Sequence, residues 1–209
     1  MQEGFGFIDW QALQSFLERG GPAIWAIIAL SLLSLALVLW KFWRLVLIGA
    51  WHRKKAMRFL KAMGSDQQVD LPNRAGSIRL GFLIAVYESL KKHGKEEARE
   101  HISALALQKL TPIRSGVRVL ELVATIAPLI GLLGTVLGMI DAFYALEASG
   151  ARADVSVLAG GIWEALLTTA AGMTVAIFAT VAQSYFEALL ERVQEDLEYI
   201  ATIIFMKAG

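Results

Sequence analysis

Glu164 stands at the head of a 22-residue stretch, residues 165–186, that contains no charge. A carboxylate beside so long an apolar run is costly in hydrocarbon unless it is satisfied or used. It can load and release a proton, or it can sit in a structural ion or hydrogen-bond pair, and its position alone leaves both open. Thr168 and Thr169 follow it by four and five residues, and Thr135 lies in a second uncharged run, residues 122–140. If the two runs cross a bilayer antiparallel, the three hydroxyls sit at a similar depth, with Glu164 about one turn further out. A single Thr in a span commonly bonds its own backbone. Three at one level beside a carboxylate suggest a polar ring around a proton path, provided copies of the chain surround an axis. Asp141 and Glu121 lie near the ends of their run, so any proton relay would need a carboxylate from another chain.

The elements that must position these groups follow from hydropathy. The chain has 209 residues, 56% of them hydrophobic, and three uncharged runs, at 22–40, 122–140 and 165–186. Each is long enough for a spanning helix. The predicted fold class is therefore an all-α integral membrane protein with three transmembrane helices and long cytoplasmic helical extensions. Residues 1–19 hold two Glu, one Asp and a single Arg, unlike the basic start of a signal peptide, so the first span is expected to be retained. Fourteen Lys or Arg fall between Arg53 and Arg118, against Arg19 alone before the first span and Arg152 alone between the second and third. The positive-inside rule then puts the long loop and the C-terminus in the cytoplasm and the N-terminus outside.

The expected organisation is an external arm with an interfacial helix (1–21), transmembrane helix 1 (22–49), a cytoplasmic helical region (50–118), transmembrane helix 2 (119–146), an external loop (147–156), transmembrane helix 3 (157–186) and a cytoplasmic C-terminal helix (187–209). Trp10, Leu13, Phe16 and Leu17 share one face of the arm. Residues 64–76 form a polar turn region, flanked by helical patterns at 78–92 and 96–110, with Pro112 expected to kink the second of these. Leu190, Val193, Leu197, Ile200 and Ile204 make a heptad-like stripe that requires a partner helix, in the same chain or in a copy.

Several functions are disfavoured. A net charge of +1 implies no nucleic-acid partner. The chain has no Cys, which removes disulfides and thiolate chemistry, and its three His suit the surface better than a metal site. No phosphate-binding glycine motif and no nucleophile–base–orienter spacing is present, so neither a cofactor nor enzymatic activity is expected.

Spans two and three each have a small side and a greasy side. Gly131, Gly134, Thr135 and Gly138 share an arc of the second; Thr168, Thr169, Gly172 and Ala176 share an arc of the third. Gly134 and Gly138 have the spacing of a helix-packing seam. A packing seam and a pore lining are both compatible with such faces.

Residues 126–140 (IAPLIGLLGTVLGMI) followed by 160–172 (GGIWEALLTTAAG) resemble the MotA/TolQ/ExbB proton-channel family, closest to ExbB. The motif likeness covers roughly residues 120–186, and the three-span layout agrees with it. The resemblance implies a subunit of an inner-membrane proton-driven motor. ExbB-like proteins form pentamers around a pair of single-span ExbD-like helices, whose Asp would supply the missing acid, and a TonB-like protein passes the work to outer-membrane import. A TolQ-like role in envelope constriction is the alternative within the family; a non-conducting membrane scaffold is the alternative outside it. By motif, Glu164 corresponds to the acid of the third span, Thr135 to the Thr of GTVxG and Thr169 to the Thr after EALL. With Thr168 these would line the proton pathway. Gly131, Gly134, Gly138, Gly172 and Ala176 would face the pore as a smooth lining against which an inner helix can turn. Phe178 departs from the family, many members having Pro there.

Overall fold

A computed structural model describes residues 21–50, 53–62, 76–92, 95–149 and 155–207. Within them every regular element is a helix: α1 (Gly21–Ile48), α2 (Arg53–Ala62), α3 (Ile78–Lys92), α4 (Lys95–Arg114), α5 (Val117–Ala148) and α6 (Val155–Lys207). Three stretches are long and apolar enough to cross a membrane, and they fall in α1, α5 and α6. The amphipathic face at residues 10–17 lies outside the described residues, as does most of the polar stretch 64–76.

The helix ends have local causes. Gly49, at φ +66, closes α1: its amide donates to Val46 O at 3.1 Å, and the Ala50 amide donates to Leu45 O at 3.2 Å. This pair of bonds satisfies the last carbonyls through a left-handed residue, which glycine adopts at little cost. A Cβ at Gly49 would also lie 2.8 Å from Gly76 O. At the start of α3, Ser77 Oγ accepts the Leu80 amide at 3.3 Å, an N-cap bond. Pro112 does not break α4, which runs on to Arg114; the chain turns at Ser115 and at Gly116, whose φ is +82. Proline removes one donor, but a left-handed residue ends the helix outright.

The described chain divides into two compact units. The first comprises the described residues up to Ala36 and Val119–Ala182. Here α5 and α6 run against each other. Gly172 meets Ala127 and Gly131, Thr169 meets Gly131, Thr168 meets Gly134, Ala165 meets Gly138, and Gly161 meets Ala142. Each advance of three or four residues along α6 matches a retreat of three or four along α5, which is an antiparallel helix pair in close register. Between membrane helices no hydrophobic term favours contact over lipid, so close approach of small residues and interhelical hydrogen bonds hold the pair. Leu129, Leu132, Val136, Leu166, Ile177 and Val181 point outward.

The second unit comprises Leu37–Arg118 and the described residues from Gln183 onward. Its core gathers Phe82, Leu83 and Val86 of α3, Ala98, Ile102 and Ile113 of α4, and Val193, Leu197, Ile200 and Ile204 of α6. The heptad-like stripe is thus buried within its own chain. Leu190 at its head is half-buried.

Two cations are folded into this unit. Arg79 Nε donates to Asp196 Oδ2 at 2.6 Å, and Arg79 also donates to the Ala50 carbonyl; both charged side chains are 4% exposed. The guanidinium therefore ties α3, the turn after α1 and the distal part of α6. Lys41, 2% exposed, donates from Nζ to Ile113 O at 2.6 Å and to Ser115 O at 2.5 Å. It serves the carbonyls at the C-terminal end of α4, where the helix dipole favours a cation.

Candidate functional site

The groups singled out in the sequence converge in the first unit, along the edges of the α5–α6 contact. On α6, positions 165, 168, 172 and 176 recur at helical spacing and turn inward, all of them buried. Glu164 is half-buried at one edge of that face, and Thr169 is half-buried at the other. On α5, Gly131 and Gly134 are buried, while Thr135 and Gly138 are half-buried beside them.

The three hydroxyls have different fates. Thr135 Oγ1 donates to Leu132 O at 2.6 Å, within its own helix. Thr168 Oγ1 donates to the Glu164 carbonyl at 3.0 Å, also locally. Thr169 Oγ1 crosses to Gly131 O at 2.8 Å and is an interhelical bond, worth about 1 kcal/mol in a membrane. The register places Thr135 level with Thr168. Thr168 is 2% exposed, and a Cβ at Gly134 would collide with its methyl and meet Ala23 Cβ at 3.0 Å. Its side chain fills the space that Gly134 leaves.

Gly131, Gly134, Gly138, Gly172 and Ala176 are covered or half-covered by neighbouring helices of the same chain. Periodicity showed that this face is small, and the packing shows how the smallness is used. A Cβ on Gly172 would lie 2.6 Å from Ala127 O and 3.1 Å from Gly131 Cα, both backbone atoms. Gly172→Ala is expected to destabilise the helix pair by about 1–3 kcal/mol, the usual cost of overpacking. Gly160→Ala, one helix turn before Glu164 and with nothing within 4 Å, is the control. Thermal unfolding of the purified protein should fall for the first variant and stay level or rise for the second.

Sequence reasoning missed two participants. Gly161 takes part in the contact against Ala142, and its four-residue spacing from Ala165 was the available signal. Asp141 was placed near the end of its run, yet it lines one small cleft together with Glu164, Thr168, Gly138 and Pro22. The cleft encloses about 50 Å³. That is room for water, which needs roughly 10–15 Å³ per molecule by the same measure. Pro22 belongs to the first turn of α1, and a helix N-terminus favours a negative charge nearby. Two carboxylates thus line a cleft with room for water, with a helix N-terminus on its rim, and such a place can hold negative charge at an otherwise apolar level. Among the described residues no group of three or more potential ligands could hold a metal ion.

The sequence profile of the MotA/TolQ/ExbB proton channel family matches residues 57–199, which covers the second half of α2, all of α3, α4 and α5, and most of α6. The chain belongs to the MotA/TolQ/ExbB family. Full-length relatives agree. An ExbB-like 1 biopolymer transport protein of Synechocystis is 31% identical over 198 residues, covering 91% of this chain and 75% of the relative. The biopolymer transport protein exbB1 of Vibrio cholerae is 28% identical over 194 residues, covering 90% and 85%. ExbB of Neisseria meningitidis is 26% identical over 207 residues, covering 90% and 93%. The protein is thus a three-span member of a proton-channel family, and the α5–α6 pair with Glu164 at its edge lies inside the matched region.

Proposed function

We propose that this chain is the ExbB-like subunit of a proton-driven motor in the bacterial inner membrane. With a single-span ExbD-like partner it would use the proton motive force to energise TonB-dependent import across the outer membrane. The observation that carries this reading is the cleft shared by Glu164 and Asp141, at the edge of a tightly registered α5–α6 pair that also carries Thr135 and Thr169. Three spans cannot enclose a path, so several copies would surround it, five by analogy with the family, with two partner helices inside. Glu164 would set the polarity beside the partner's Asp, and Thr135 and Thr169 would line the passage at one depth. The seam glycines and Thr168 would keep α5 and α6 from shifting while the partner moves. ExbB names on the relatives favour this reading over a TolQ-like role.

The basic flanks at 41–58 and 109–118 support an outward N-terminus and an inward C-terminus. Native mass of the detergent-solubilised chain, alone and with an ExbD-like single-span protein, tests the assembly. Five copies that gain two of the partner are expected. A monomer or dimer that ignores the partner would contradict the proposal.

A further inference from the structure

The apolar surface of α1 does not stop where its charges begin. Lys41 and Arg44 interrupt the sequence, but Lys41 turns inward and Arg44 is drawn to the edge of the helix face. Lys41 is spent on the carbonyls of Ile113 and Ser115 and lies 5.2 Å from the Phe186 ring centroid. Arg44 is half-buried, with Nη1 3.3 Å from Ser115 Oγ and its guanidinium carbon 5.2 Å from the Trp40 ring centroid. Between and beyond them, Leu39, Trp40, Phe42, Trp43, Val46 and Leu47 are exposed, Trp43 to 70% and Leu47 to 73%. A continuous apolar and aromatic surface therefore runs to the end of the helix, with one guanidinium at its edge. Trp is enriched at this level of a bilayer, where an amphipathic ring meets the headgroups.

We infer that the end of α1 binds an anionic phospholipid, with its acyl chains along Trp43, Val46 and Leu47 and its phosphate on Arg44. Charge and shape both select this occupant. The Arg44 guanidinium lies over the Trp40 ring, and a guanidinium held over an aromatic ring still has N–H donors for a phosphate. Its hydrogen-bond partner Ser115 Oγ is neutral, so that bond does not cancel its charge. Arg118, the second residue of α5, is exposed and follows by three residues the Ser115 that Arg44 contacts, so a second cation is available close by in the chain. A soluble phosphate would meet the same cations but would leave the six apolar side chains in water. A lipid covers both.

The test uses the full chain, with Trp10, Trp25, Trp51 and Trp163 replaced by Phe so that Trp40 and Trp43 report. The protein is reconstituted into vesicles of phosphatidylcholine containing brominated phosphatidylglycerol or, separately, brominated phosphatidylcholine at equal mole fraction. Bromine quenches only rings it touches. The apparent association of the anionic lipid should exceed that of the zwitterionic one about fivefold, the order expected for one cation near the surface. Arg44→Gln should remove most of the preference, with quenching itself retained, and Arg44→Lys should keep most of it. Arg118→Gln, at an exposed position, should lower the ratio in part. Equal quenching by both lipids in the starting protein would overturn the inference. So would the absence of quenching by either, which would show that a second copy or a partner helix covers the surface. Competition by millimolar glycerol phosphate would assign the cations to a soluble anion and also overturn it.

Discussion

Glu164→Gln is expected to abolish energised uptake while leaving the protein folded, membrane-inserted and assembled. Gln keeps the length and hydrogen-bonding capacity of the side chain, so the cleft with Asp141 and Thr168 should survive. What disappears is a titratable negative charge. In the proposed motor that charge would stand beside the acid of the ExbD-like helix, and two neighbouring carboxylates each disfavour ionisation of the other. The measurement is growth on an iron–siderophore complex as sole iron source, with protein level and native mass read in parallel. Glu164→Asp keeps the carboxylate but withdraws it by one methylene, and partial activity is the expected result. A scaffold that conducts nothing would tolerate both changes. Asp141→Asn should give a smaller defect, because Asp141 is exposed and shares only the rim of the cleft.

The second large effect is on stability. Arg79→Met removes the cation from Asp196 and the donor from the Ala50 carbonyl in one step. Both charged side chains are 4% exposed, so water cannot replace what is lost. Breaking such a pair from one side costs about 3–5 kcal/mol, a large fraction of the stability of a unit this size. Asp196→Asn should cost less, because it leaves a neutral acceptor for the guanidinium. The double change Arg79→Met with Asp196→Leu should recover most of the loss, since a buried pair exchanged for apolar side chains of similar volume is close to neutral. Limited proteolysis after residues of α3 and α4, compared across the four proteins, would follow this order. Equal resistance in Arg79→Met and wild type would show that the pair contributes little.

How far these features could be foreseen depends on the range of the signal. Uncharged runs of 19 to 22 residues are a local property, and they located all three spans. The stripe from Val193 to Ile204 is local too, and its burial followed from period alone, although period cannot say which helix covers it. The same limit applies to the small faces. Gly131, Gly134 and Gly172 were recognisable as one-sided, but which helix covers them depends on the register between helices tens of residues apart. Arg79 and Asp196 are 117 residues apart, and nothing near either announces the other. Lys41 and Arg44 illustrate a further difficulty. Their charges mark the end of an uncharged run in the sequence, whereas Lys41 folds inward, Arg44 is drawn to the edge of the helix face, and an apolar surface is left outside. Asp141 was undervalued because distance from the middle of a span was taken as distance from the site, while the antiparallel register brings it to the cleft of Glu164.

In the proposed motor protons pass along the α5–α6 edge marked by Glu164, and their flux can be measured in vesicles. The chain would be co-purified with its single-span acidic partner and reconstituted into vesicles holding a pH-sensitive dye, and a potassium diffusion potential would then be imposed. Acidification of the lumen above that of empty vesicles is predicted for the wild-type complex and for Arg44→Gln. Flux at the background level is predicted for Glu164→Gln and for the chain without its partner. Undiminished flux through the Glu164→Gln complex would contradict the account, and so would flux through the chain alone.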